Sequence, residues 1–360
     1  MKYRTLGNTG LIVSEIALGT MQFGQKMNMG NLDQKATNEL VAFAIDRGVN
    51  FIDTADVYSL GQSEEFVGNA IKGQREELVL ASKCRLPMSD NVNRSGATRV
   101  NIMRGIESSL KRLQTDYLDL CQIHGWDSNT PLEETLRALD DIVRDGKVRY
   151  IGLSNHLSWQ ATTALWLQEK LNLHRYATAQ MYYSLVGRGL EYDFQSMAEY
   201  HNLGILVWSP LAGGFLSGKY SREEPAPDGT RFADNGNFVP FDHEMGFNVV
   251  DALKKIGSNH GCSPARVALA WLLSRPAISA VIAAGRKKEH LEDNLKASDL
   301  ELSQDELDEL TKVSDPGTPY PLWMVKQLDE AEDPRPKALY PERYKDGGPW
   351  ADRREVGWQP

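Results

Sequence analysis

Short apolar runs alternate with stretches of helical periodicity along most of the 360 residues, a pattern that predicts βα units around a parallel sheet. Residues 16–19 read as a first strand and 35–47 as its helix, with Leu40, Val41, Ala44 and Ile45 on one face. Residues 51–53 are a second strand, followed by a helix over 64–71; 78–82 is a third, followed by a helix over 99–113. Residues 118–123 precede a helix that opens with Pro131 and Glu133, both suited to a first turn. The second half continues with strands at 150–154, 178–181, 205–208 and 280–282, and helices from Trp159, over 194–201 and over 289–297. Eight strands alternating with helices close a barrel, so the predicted class is α/β, a single (β/α)8 TIM barrel. Ahead of it, residues 3–6 and 11–13 flank Gly7-Asn8-Thr9-Gly10, which suits a β-hairpin that plugs one end.

Two segments depart from the alternation. Residues 211–246 are rich in Gly, Pro and Asp without a clear period, and so long a connection in a compact domain is usually functional; it reads as a lid after the seventh strand. Residues 315–360 carry many prolines and charges, with Tyr320, Trp323 and Trp350 interspersed. They read as an extended strap beyond a barrel domain of residues 1–314, packed on the barrel or on a partner subunit.

Composition narrows the function. Hydrophobic residues make up 41% and charged residues 25%, as in ordinary globular proteins. A net charge of -9, with no long Lys/Arg cluster, offers nucleic acid or an anionic membrane no attraction. Three cysteines, Cys84, Cys121 and Cys262, lack CxxC spacing, and the histidines are scattered, so neither a disulfide framework nor a metal site is expected. The start lacks a signal-peptide apolar region and no stretch reaches membrane-helix length, so a cytoplasmic address is the expectation.

Three strands end in side chains able to do chemistry: Asp53 with Tyr58, then Lys83, then His124. In a parallel barrel the C-terminal strand ends share one face, where these would converge. A Lys ammonium close to a phenol favours the phenolate and lowers its pKa, and an Asp would hold that ammonium in place. Tyr58 then suits proton donation to a carbonyl being reduced, and His124 a second hydrogen bond to the nascent alkoxide. On these residues alone, a structural Asp53–Lys83 ion pair is an equal alternative.

More positions agree. Gly48-Val49-Asn50-Phe51-Ile52-Asp53-Thr54-Ala55-Asp56-Val57-Tyr58, with Lys83 and His124 behind it, resembles the aldo-keto reductase superfamily, and the likeness runs from Tyr3 through Asn294. The resemblance implies a catalytic set of Asp53, Tyr58, Lys83 and His124, with Tyr58 as general acid in reduction and general base in oxidation. It also implies an extended nicotinamide cofactor and no Rossmann domain, and the chain shows no GxGxxG fingerprint after a strand. Ser154, Asn155 and Gln180 look like the group that binds the nicotinamide carboxamide; Gly19, Thr20, Met21 and Asp53 line the same side. Trp208, Ser209, Pro210, Leu211, Gly213, Leu216, Gly218 and Lys219 resemble the segment that covers ring and pyrophosphate. Gly285, Arg286, Lys287, His290, Asp293 and Asn294 resemble the adenosine-phosphate segment, with Arg286 at a position used for the 2′-phosphate of NADP. Here Ala283-Ala284 replaces a frequent Pro-Gly, Asp293 a frequent Glu, and His290 stands where some branches use Arg.

By this resemblance NADP(H) is favoured, with NAD(H) the alternative, and the substrate is a small carbonyl or alcohol compound. Its pocket is expected from Met21, Phe23, Arg85, Trp126 and Asn155, beside Tyr58 and His124. Arg85 points to a polar or anionic substrate. Oxidation of a sugar, polyol or secondary alcohol is the alternative direction. The chain also looks like the potassium-channel β-subunits of the same superfamily, whose extra N-terminal segments are not expected here, since the first hairpin reads from Lys2.

Overall fold

The computed structural model describes residues 1–27, 30–222 and 239–330. The middle of the expected lid, 223–238, and the extension from 331 onward, Trp350 included, lie outside the described residues.

A hairpin of β1 (Tyr3–Thr5) and β2 (Ile12–Ser14) precedes eight parallel strands: β3 (Ile16–Gly19), β4 (Phe51–Asp53), β5 (Val79–Cys84), β6 (Leu118–Ile123), β7 (Val148–Ser154), β8 (Tyr176–Tyr182), β9 (Gly204–Trp208) and β10 (Ile278–Ala283). They pair in sequence order, and β10 returns to β3 with Val281 opposite Ile16, closing the barrel. Leu6 and Val13 of the hairpin segment pack with Phe51, Val79, Leu120 and Leu206 in the barrel interior, sealing its N-terminal end. Gly7, at φ +56°, presses against the base of β8, where a Cβ would lie 2.1 Å from the Ala177 carbonyl oxygen. Only glycine fits that approach.

Strand periodicity then decides what faces the other end. Side chains alternate between the two faces of a strand, so Phe51 and Asp53 share the inner face of β4, and Val79, Ala81 and Lys83 that of β5. The apolar members fill the sealed half, and the polar ones end up near the C-terminal rim.

Helices α1 (Gln34–Ile45), α2 (Gln62–Ala70), α3 (Arg99–Leu113), α4 (Leu132–Arg144), α5 (Ser158–Lys170) and α6 (Phe194–Tyr200) wrap the strands, close to the bounds their periodicity predicts. The caps account for the starts: the Asp33 carboxylate accepts from Ala36 N at 2.8 Å, and the Thr98 hydroxyl from Asn101 N at 3.2 Å. Between β9 and β10 come α7 (His243–Asn259) and α8 (Pro264–Leu273), which the pattern left unplaced. Val267 through Leu273 are all buried, so α8 has no polar face from which a helical period could be read. The described ends of the expected lid carry a 3-10 turn over Ala212–Ser217 and the start of α7. Beyond β10 lie α9 (Lys288–Leu295), α10 (Gln304–Val313) and α11 (Leu322–Glu330). The last corrects the strap reading for its residues, which are helical rather than extended, with Trp323, Val325 and Leu328 exposed.

Candidate active site

Lys83 sits at the centre of the rim. Its Nζ donates to Asp53 Oδ1 (2.5 Å), to the Thr54 carbonyl (2.8 Å) and to the Tyr58 hydroxyl (3.3 Å). An ammonium has three donors, and all three are used. Asp53 Oδ2 accepts from Gln180 Nε2 (2.8 Å) and Gln122 Nε2 (3.4 Å), so the carboxylate is satisfied from both sides. Lys83 and Asp53 are 1% and 2% exposed; a charge pair so buried persists only when hydrogen-bonded this fully. Gln122 and Thr54 are absent from the sequence expectation. Gln122 was findable, as a polar residue in register with Lys83 on the neighbouring strand.

Tyr58 enters from a turn in which Ser59, Leu60 and Gly61 all take left-handed backbone, at φ 48°, 52° and 84°. Two non-glycine residues there are costly. The Ser59 hydroxyl donates to the Phe23 carbonyl (3.1 Å), pinning the turn to the loop after β3. The Tyr58 ring lies 4.9 Å from Lys83 Nζ and 5.9 Å, edge on, from the His124 ring. The four side chains from three strands are thus together.

Electrostatics corrects one expectation. Burial raises the Tyr58 pKa above its ordinary value and outweighs the downward pull of Lys83, so the phenol is held protonated rather than pushed toward phenolate. For Lys83, burial is the largest single influence and favours the neutral amine, but Asp53 and Tyr58 together reverse it and the pKa rises. His124 is driven down to about 3, by burial first and then by Lys83 and Arg85, which leaves a neutral ring. Its Nδ1 is buried without a hydrogen-bond partner among the described residues.

Behind the site, Asp56 is 2% exposed, and its Oδ1 has no hydrogen-bond partner among the described residues. Burial, then the nearby Glu64, pushes its pKa up to about 8 despite Arg112 and Lys83. The folded value lies above the ordinary 3.8, so stability present below pH 3.8 is lost as the pH rises toward about 8. The slope is at most ~1.4 kcal/mol per pH unit. Asp56→Asn is expected to remove it: the variant's melting temperature gains on the wild type across that window and runs parallel above it. A gap independent of pH would show that Asp56 does not carry the proton.

The remaining expected residues divide into rim and interior. Thr20 is buried, its hydroxyl donating to the Asp53 carbonyl (3.1 Å) and accepting from Ser63 (2.9 Å); Gly19 ends β3 and Met21 follows, half-buried. Ser154 Oγ donates to the Gln180 carbonyl (2.9 Å). Asn155 bridges two loops, donating to the His124 carbonyl (3.2 Å) and accepting from Trp208 Nε1 (3.0 Å). These polar groups hold one another. The half-buried Trp208 ring tilts against Tyr182 at 5.2 Å. After β9 the backbone is left-handed at Ser209, Ala212, Gly213, Gly214 and Gly218. Ser209 Oγ accepts from Gly213 N (3.2 Å), and the Lys219 ammonium lies over Gly214, 3.4 Å from where a Cβ would be. Pro210 is buried and Leu211 half-buried, whereas Leu216 is wholly inside the core.

Past β10, Gly285 approaches α9 so closely that a Cβ would lie 2.7 Å from Leu291 N, and Arg286, Lys287 and His290 are exposed around the start of that helix. Asp293 is engaged by Arg266, at 2.5 and 3.1 Å, and by the Ser263 hydroxyl. Asn294 is buried, donating to the Ala284 carbonyl (3.1 Å). Their side chains tie α8 and α9 to the barrel. Arg266 went unnoticed in the sequence because nothing there marks its partner, 27 residues away.

Of the expected pocket residues, Phe23 is buried in the core, while Arg85 and Trp126 are half-buried at the rim, joined by a hydrogen bond from Arg85 Nη2 to the Trp126 carbonyl (2.8 Å). A pocket of about 410 Å³ opens beside Asn155 between His156, Ser158, Met181 and Tyr182, and Met21, Phe23, Arg85 and Trp126 do not line it. Among the described residues no His/Cys/Asp/Glu group of three or more could hold a metal ion, and no helix is long and apolar enough to cross a membrane.

Comparison with known proteins bears on this geometry. Residues 15–315 match the family model described as aldo/keto reductase family. The chain is 37% identical over 324 residues to "Uncharacterized oxidoreductase YrpG" of Bacillus subtilis, covering 87% of this chain and 96% of that one. It is 34% identical over 308 residues to "Probable voltage-gated potassium channel subunit beta" of Arabidopsis thaliana, covering 83% and 92%. It is 30% identical over 342 residues to "Versiconal hemiacetal acetate reductase" of Aspergillus parasiticus, covering 89% and 99%. With its closed barrel, its hairpin plug and a match over most of its length, the chain belongs to the aldo/keto reductase family, oxidoreductases that act on carbonyl compounds with NAD(P)H.

Proposed function

We propose that the protein reduces an aldehyde or ketone to the alcohol with NADPH, Tyr58 acting as the general acid. The observation that carries this reading is the saturated Lys83 ammonium, hydrogen-bonded at once to Asp53 and Tyr58 beside a neutral His124. The reduced nicotinamide supplies the hydride when bound. Tyr58 gives its proton to the carbonyl oxygen as negative charge develops there, and Lys83, itself held by Asp53, stabilises the phenolate left behind. His124 donates from Nε2, since Nδ1 is enclosed without an acceptor or donor of its own among the described residues. Reduction uses Tyr58 as the protonated phenol, the form that its burial favours, and in alcohol oxidation the same residue would take the proton back.

The chain's own residues fit such a cofactor. The left-handed glycines Gly213 and Gly214, half-buried with Lys219 over Gly214, present backbone without side-chain bulk and suit a pyrophosphate. Arg286 and Lys287, exposed before α9, suit a 2′-phosphate. Arg286→Ala is expected to raise the KM for NADPH ~10-fold and that for NADH less than about twofold, measured by nicotinamide absorbance against a panel of aldehydes, ketones and keto-sugars. Equal use of both cofactors by the wild type would remove the 2′-phosphate assignment; failure to bind either would remove the whole reading. The name of the Arabidopsis relative supports a second reading, a channel-associated subunit, for which co-purification with a membrane protein is the test.

A further inference from the structure

Arg85 lies just past β5, two residues beyond Lys83, and its side chain's one described hydrogen bond runs to the loop two residues beyond His124. The guanidinium therefore spans the mouth between the two strands that carry Lys83 and His124. Three features set it apart from a structural arginine. Its backbone φ is +128°, a region that side chains rarely adopt and that costs ~1–3 kcal/mol when it persists. Its Nε is buried without an acceptor among the described residues. No carboxylate among the described residues comes within 4.0 Å of it. The Asp127 carboxylate, which interacts with Arg85 from beyond that distance, accepts from Ala97 N (2.7 Å), the Thr130 hydroxyl (2.7 Å) and Asn129 N (2.9 Å).

The charge balance at the mouth follows. Lys83 is neutralised by Asp53, and His124 and His156 are both kept neutral, their pKa values lowered chiefly by burial. Arg85 is left without a direct ion pair beside the reacting groups, with the Asp127 carboxylate acting on it from beyond 4.0 Å, on a chain whose net charge is -9. One half-buried guanidinium with unused donors is a ready fork for a planar, singly charged anion. Trp126, whose backbone carbonyl accepts from Arg85, packs its ring 5.4 Å from His156 and 5.7 Å from Trp159, and that aromatic cluster would give an apolar flank for the body of the same molecule.

We propose that Arg85 selects carbonyl substrates that carry a carboxylate of their own, gripping that group while Tyr58 and His124 face the carbonyl. The proposal rests on the carbonyl-reductase reading and narrows its substrate class. The test compares para-carboxybenzaldehyde with its methyl ester, using whichever nicotinamide cofactor the enzyme accepts. The wild type is expected to prefer the acid by ~10–100-fold in kcat/KM, mostly through KM, as one charged hydrogen-bonding partner allows. Arg85→Met should bring that ratio close to one, and Arg85→Lys should keep part of it. In parallel, benzoate should inhibit ester reduction by the wild type far better than benzamide, a measurement that needs no variant to fold. A wild-type ratio near one, a ratio unchanged in Arg85→Met, or equal inhibition by benzoate and benzamide would each overturn the proposal. A phosphate-bearing aldehyde preferred over the acid would overturn the carboxylate assignment. Reduction of the ester alone removes only this inference; reduction of neither compound, nor of any other carbonyl, removes the carbonyl-reductase reading with it.

Discussion

Tyr58→Phe is expected to lower kcat for carbonyl reduction by ~10²–10⁴-fold, with the affinity for NADPH unchanged within about twofold. The substitution removes one oxygen and little else. The ring still packs edge on against His124, and Lys83 loses only the longest of its three hydrogen bonds, 3.3 Å against 2.5 and 2.8 Å. The buried ion pair and the turn through Ser59 remain, so the melting temperature should barely move. What disappears is the proton donor, since Tyr58 supplies the one hydroxyl bonded to Lys83 among the described residues; the other two partners are the Asp53 carboxylate and the Thr54 carbonyl. Because the phenol titrates above its ordinary value of 10, wild-type kcat/KM should stay level through neutral and mildly alkaline pH. Single-turnover reduction and a fluorescence titration of NADPH separate chemistry from binding. A variant that binds cofactor normally and reduces carbonyls at the wild-type rate would end the general-acid assignment.

Much of this site was legible in the chain because strand periodicity and position act together. Asp53 and Lys83 are polar residues ending otherwise apolar strands, and a parallel barrel carries such ends to one face whatever their separation in sequence. The direction of the Tyr58 shift was not legible, because it depends on how completely the ring is enclosed, a property of packing rather than of neighbours along the chain. Helix α8 escaped for a related reason. A segment buried on all sides shows no period, and only its start, Ser263 followed by Pro264, carries a local signal. The roles of Asp293 and Asn294 depended on distant partners in the same way. By resemblance they face a cofactor, and in the structure their side chains bond Arg266, Ser263 and the Ala284 carbonyl.

Lys83→Met tests whether the central ion pair is chemistry or architecture. Removing the ammonium leaves the Asp53 carboxylate 2% exposed with, among the described residues, only the two glutamine amides to meet it. An uncompensated buried charge of this kind costs ~3–5 kcal/mol, and urea denaturation should show a loss of that size. Reduction should fall at least as far as in Tyr58→Phe, since the phenolate formed on proton transfer would have no cation beside it. Either loss alone has a trivial reading, because a destabilised protein is often a poor enzyme. The double variant Asp53→Asn/Lys83→Met separates them. With both charges gone the desolvation penalty goes too, and replacing a buried pair by neutral groups is often neutral or stabilising. Its stability is therefore expected to return close to that of the wild type while its activity stays at the level of the single variant. Recovery of both together would mean that the pair only supports the barrel. Recovery of stability alone is the outcome that the hydrogen bond from Lys83 to Tyr58 demands.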